Sequence, residues 1–102
     1  MSNFIRVAAT SDLKPGENKV VTVNDQEVAL FNVDGNFYAV SNTCPHRGGP
    51  LGEGFLEGDV VTCPWHGWRF NVKTGVNVVM PNIKVNNYNV KVEGTDVFVS
   101  LE

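Results

Sequence analysis

CPHRGGPLGEGFLEGDVVTCPWHGW, residues 44–68, holds every cysteine and histidine of the 102-residue chain: Cys44, His46, Cys63 and His66. One residue separates Cys44 from His46, two separate Cys63 from His66, and sixteen lie between His46 and Cys63. Gly48, Gly49, Pro50, Gly52 and Gly54 crowd the stretch after His46. That density is incompatible with the interior of a regular strand, so residues 44–58 read as a loop. A strand is expected over residues 58–62, and the second Cys/His pair then sits at its end, in a loop over residues 63–70. Two loops, each with one thiol and one imidazole, would face each other across a shared metal centre.

Outward from this stretch the apolar residues repeat with period two. Tyr88, Val90 and Val92 alternate with Asn87, Asn89 and Lys91, and Val97, Val99 and Leu101 fall on one face. Both segments read as strands. Residues 17–40 add two or three more, with Asp34-Gly35 as a hairpin turn, and Thr74-Gly75 and Glu93-Gly94 mark further turns. Ten glycines, five prolines and the lack of a helical period predict an all-β chain, an antiparallel sandwich or incomplete barrel. Its length suits one domain, 1–102.

Composition narrows the function. Eight basic against eleven acidic side chains give a net charge of -3, which removes the general attraction to phosphate on which nucleic-acid binding rests. No apolar run is long enough to span a bilayer, and MSNFIRVAAT does not read as a signal peptide, so a cytoplasmic monomer without membrane contact is expected. There is no Ser-His-Asp set, no paired acid and base and no nucleotide-binding glycine motif in the sequence.

Three chemistries compete for the four ligands. A Cys44–Cys63 disulfide leaves both histidines without a role. Tetrahedral zinc on two thiolates and two imidazoles would make the chain a zinc-stapled interaction module, but zinc fingers place like ligands together, whereas each loop here holds one of each. The third is a [2Fe-2S] cluster with two thiolates on one iron and two imidazoles on the other.

C-x-H, sixteen residues, then C-x-x-H followed by Gly67 resembles the cluster-binding motif of Rieske proteins, and the surrounding hairpin and closing strands are similar to small Rieske-type ferredoxins over nearly the whole chain. The resemblance implies a Rieske-type fold with a small cluster-binding subdomain built from the two loops, and one [2Fe-2S] cluster per chain. Cys44 and Cys63 would bind the buried iron, His46 and His66 the outer one. It also implies a proline-bearing third loop over the cluster, matched by Pro81. Trp65, Trp68 and Phe70 would shield the cluster or simply fill core, and Arg47 and Arg69 are candidates for docking.

Rieske subunits of respiratory and photosynthetic cytochrome complexes carry an extra cysteine in each loop, at positions that here are Gly49 and Trp65. They also carry a serine and a tyrosine whose hydroxyls donate to sulfur, at positions that here are Trp68 and Phe70. Without those donors the resemblance implies a potential toward the low end of the family range, about -150 mV. No third histidine remains for a mononuclear iron site, so the chain is not expected to be an oxygenase by itself. The resemblance implies one-electron carriage from a reductase to a terminal oxygenase, by an electron-transfer protein that is not itself an enzyme. The alternative within the same fold is the small subunit of an assimilatory nitrite reductase.

Overall fold

The structure is a computed structural model that describes residues 4–44, 48–65 and 67–101. Among these the chain forms strands β1 (Ile5–Ala9), β2 (Asn18–Val23), β3 (Gln26–Val33), β4 (Asn36–Ser41), β5 (Phe55–Glu57), β6 (Val60–Thr62), β7 (Arg69–Asn71), β8 (Asn87–Glu93) and β9 (Asp96–Ser100). They pair antiparallel throughout. Six form a nearly closed sheet in the order β1-β9-β8-β4-β3-β2, and β5-β6-β7 form a small second sheet. The all-β class and the incomplete barrel expected from the alternation are what the chain adopts.

Two tight turns set the register of the central hairpins. Asn24 and Asp25 have φ of 50° and 66°, and Asp34 and Gly35 have 53° and 92°. Positive φ at both central residues fits a two-residue hairpin whose twist matches its strands. Val23 therefore faces Gln26, and Val33 faces Asn36. The second turn is the one expected from Asp-Gly; the first uses Asn-Asp for the same purpose.

β3 departs from the half-buried pattern, since every residue from Val28 to Val33 is buried. Val28 and Leu30 join Leu13, Val21, Val23, Ala39, Val97 and Val99 in one core. Ala29, Phe31 and Val33 point the other way, into a second core with Val40, Leu51, Val61, Phe70, Val72, Cys44 and Cys63. Because side chains alternate across a strand, β3 is a wall with a core on each side. The first core lies within the six-stranded sheet; the second lies between that sheet and the small one, and it holds both thiols.

One expectation needs correcting. Residues 44–58 are not loop throughout, because a 3-10 turn occupies Leu51–Glu53 and β5 follows at Phe55–Glu57. The glycines reflect close packing. A Cβ on Gly52 would stand 2.6 Å from Val20 Cγ2 and 3.0 Å from the Lys19 carbonyl oxygen, and one on Gly54 would run into the Thr62 carbonyl. Likewise, the second expected loop, 63–70, already enters β7 at Arg69.

Close approach and backbone strain can be separated by experiment. Gly75 (φ +79°) would drive a Cβ into the Val85 carbonyl, whereas Gly94 (φ +61°) has open space around it. Gly94→Ala should cost about 1 kcal/mol for the left-handed backbone alone, and Gly75→Ala about 3 kcal/mol with the added overlap. Denaturant unfolding of the two variants checks this, and equal losses would show that the Val85 contact is not tight.

Candidate metal centre

Cys44 lies beyond the end of β4 and Cys63 directly follows β6. At their described ends the two loops share one hydrogen-bond pattern, although their sequences differ. The Cys44 N–H donates to the Gly49 carbonyl (2.9 Å) and its carbonyl accepts from the Gly48 N–H (2.7 Å). The Cys63 N–H donates to the Trp68 carbonyl (2.7 Å) and its carbonyl accepts from the Gly67 N–H (3.3 Å). In both loops the glycine four residues after the cysteine is left-handed, with φ of 76° at Gly48 and 77° at Gly67. Gly67, noted in sequence as part of a motif, is required by this turn.

The two thiols are brought together deep in the second core, with Cys44 1% and Cys63 3% exposed, and they are not joined as a disulfide. Burial pushes the Cys63 thiol up. The backbone N–H of Trp65 opposes that shift, and the Cys44 thiol beside it adds to it through a hydrogen bond and charge repulsion. The first loop closes on this sulfur from one side, since a Cβ on Gly49 would stand 2.6 Å from Cys63 Sγ. His46 and Arg47 of the first loop and His66 of the second lie outside the described residues. Of the four expected ligands the structure therefore describes the two thiols.

Gly49 and Trp65, matched in sequence to an extra cysteine pair, are neighbours: the same Cβ on Gly49 would lie 3.1 Å from Trp65 Cβ. Trp65 is 50% exposed and covers the loops only in part. Phe70 is fully buried in the core with the thiols, and Trp68 packs against that core with its ring centroid 6.5 Å from that of Phe70. Arg69 opens β7 with its side chain in solvent.

A third segment flanks this sheet. Asn77 pairs with Phe70 across a β-bridge, and Val76 with Lys84. The Asn77 Oδ1 accepts from the N–H groups of Val79 (2.9 Å) and Met80 (2.8 Å), shaping the turn that leads to Pro81. Val78 and Val79 stand out into solvent. Pro81 was legible in sequence, whereas Asn77 was not singled out, although an asparagine accepting from N–H groups two and three residues on is a common way to begin a turn.

Two thiols held side by side by closed backbone turns, out of water and unbridged, fit the thiolate half of an iron–sulfur centre. Burial penalises two bare thiolates, and a bound cation removes that penalty.

The family whose sequence pattern matches is the Rieske [2Fe-2S] domain, over residues 3–99. The ferredoxin component of the naphthalene 1,2-dioxygenase/salicylate 5-hydroxylase systems of Ralstonia sp. is 39% identical over 98% of this chain and 97% of its own. The ferredoxin in a complex of reduced oxygenase and oxidized ferredoxin of carbazole 1,9a-dioxygenase superposes with a TM-score of 0.88 at 38% identity, covering 97% of this chain and 94% of that one. A chain from Mycobacterium tuberculosis described as the small subunit of an NADH-dependent nitrite reductase superposes with a TM-score of 0.91 at 25% identity, covering 100% and 97%.

Proposed function

The chain belongs to the Rieske [2Fe-2S] domain family, and from that premise we propose that Cys44, His46, Cys63 and His66 hold its cluster and that it passes single electrons from a flavin reductase to a terminal oxygenase. It is an electron carrier with a [2Fe-2S] cluster, of the kind that serves as the ferredoxin component of dioxygenase systems, and not an enzyme in its own right. The observation that supports the ligand assignment is the pair of buried, unbridged thiols on two matching turns.

The cluster, when bound, supplies a one-electron couple whose two imidazole ligands raise its potential above that of an all-thiolate centre. The protein does the rest. Cys44 and Cys63 would supply the two thiolates, and Phe70, Leu51, Val61 and Val72, buried in the same core, would keep water from them. His46 and His66 would supply the two imidazoles. Trp65, Val78 and Val79 expose apolar surface on the second and third loops, suited to transient contact with a partner. No helix among the described residues is long and apolar enough to cross a membrane. The cytoplasm, where thiols stay reduced, is the compartment that goes with this proposal, and a monomer is the form that leaves the loop end free.

Purified from iron-replete cells, the chain should contain iron and acid-labile sulfide in the one-to-one ratio of a [2Fe-2S] cluster and give a Rieske electron paramagnetic resonance signal on reduction. It should then be reduced by a flavin reductase and reoxidised by a terminal oxygenase. Zinc without iron, or no signal after reduction, would sink the cluster assignment. Firm co-purification with a nitrite reductase large subunit would favour the subunit role instead.

A further inference from the structure

Asn77 is 2% exposed and makes uneven use of its amide. Oδ1 takes two backbone N–H groups, from Val79 and Met80. Because both partners are donors, the oxygen must face them, and the NH2 is fixed on the opposite side. There Nδ2 is buried with no hydrogen-bond partner. A buried donor left unmade is costly enough that few native structures keep one without a reason.

The sheet shows which way this side chain faces. The Asn71 N–H donates to Val76 and the Val78 N–H to Arg69. Phe70 and Asn77 are thus a non-hydrogen-bonded pair, the kind with Cα atoms about 4.5 Å apart and side chains in close contact on one face. The same row continues through Val61, opposite Phe70, to Leu56, opposite Val61. Val61 and Phe70 belong to the core that contains Cys44 and Cys63, and Leu56 packs on it. Asn77 extends that row by one polar residue.

We propose that Asn77 is a hydrogen-bond donor to the sulfur of the metal centre: in the loaded protein its Nδ2 meets, on a cysteine Sγ or an inorganic sulfide, the acceptor that the polypeptide alone does not supply. This rests on the carrier reading above and adds to it a residue that sets the potential. The amide has two ends with two tasks, Oδ1 holding the turn over residues 77–80 and Nδ2 tuning the centre. A donor at sulfur stabilises the more negative reduced state and raises the potential. It stands beside Phe70, where the hydroxyl of a tyrosine is missing, and supplies from the third segment part of what that position lacks.

The test uses the loaded chain carrying asparagine labelled with 15N at the side-chain nitrogen only. Pulsed paramagnetic resonance of the reduced protein should detect a 15N coupling, and Asn77→Ser, which leaves an oxygen to accept from the turn, should abolish it. Asn77→Ser and Asn77→Leu should each disfavour reduction about tenfold, which a one-electron couple reads as a fall of about 59 mV. The wild-type spectrum carries the test even if a variant fails to load. A normal Rieske signal with no asparagine 15N coupling overturns the proposal and leaves the carrier reading standing, as does an Asn77→Ser protein with unchanged coupling and potential. A chain with no iron–sulfur signal at all fails both.

Discussion

Cys44→Ala and Cys63→Ala should each give a colourless chain that binds no iron and still folds. Each thiol is one of the four proposed ligands, and an alanine methyl cannot replace a thiolate at iron. Survival of the fold follows from the two cores. Leu13, Val21, Val23, Val28, Leu30, Val97 and Val99 pack within the six-stranded sheet, in a core that includes neither cysteine. The substitution leaves a small void on the other side of β3, worth about 1 kcal/mol. A larger loss comes from the missing metal, which stabilises only the native chain. Far-UV circular dichroism should match the wild type, and thermal unfolding should fall below that of the metal-free wild type only by the void, about 4–8 °C for a domain of this size. A variant that keeps the red-brown absorption would remove that cysteine from the ligand set.

Introducing Trp68→Ser with Phe70→Tyr should raise the reduction potential, by about 59 mV for each tenfold gain in the reduction equilibrium. The buried position of Phe70 in the core that holds both thiols favours the tyrosine half of this variant. Its ring edge is out of water, where a hydroxyl seeks an acceptor and a thiolate provides one. The Trp68 half is harder to interpret, because that indole packs on the same core and leans on Phe70 at 48°. Removing it admits water, and greater solvent exposure also shifts the potential. Trp68→Ala with Phe70→Tyr separates the two causes, since it opens the same space without the serine hydroxyl. Voltammetry decides between them: no rise in the Ser/Tyr protein would show that the missing hydroxyls are not what lowers the potential, and an equal rise in the Ala/Tyr control would show that the serine hydroxyl adds nothing to it.

Alternation made most of the sheet legible from sequence, because a strand with one wet face must write its period into the residues. β8 and β9, the central hairpins and the Asp34-Gly35 turn were readable for that reason. β1 was less so, since its register slips between Arg6 and Ala8 and the alternation slips with it. β5 was hidden by glycines, which signal a loop when counted but serve at Gly52 and Gly54 to bring backbone against backbone. The four proposed ligand residues stand out in sequence through the rarity and spacing of cysteine and histidine. Asn77 was not, because one asparagine among many becomes distinctive only when burial and its bridge to Phe70 are known.

The matching turns around Cys44 and Cys63 bear on how fast an electron can move. At each cysteine both the amide and the carbonyl are already committed to partners in the same loop, through Gly48 and Gly49 in one and Gly67 and Trp68 in the other. Peptide dipoles held in this way cannot swing to follow a change of charge at the centre. The backbone at both cysteines is thus set before any change of charge, and little rearrangement of it is expected to accompany a transfer. The rate is then expected to be limited by the meeting of two proteins.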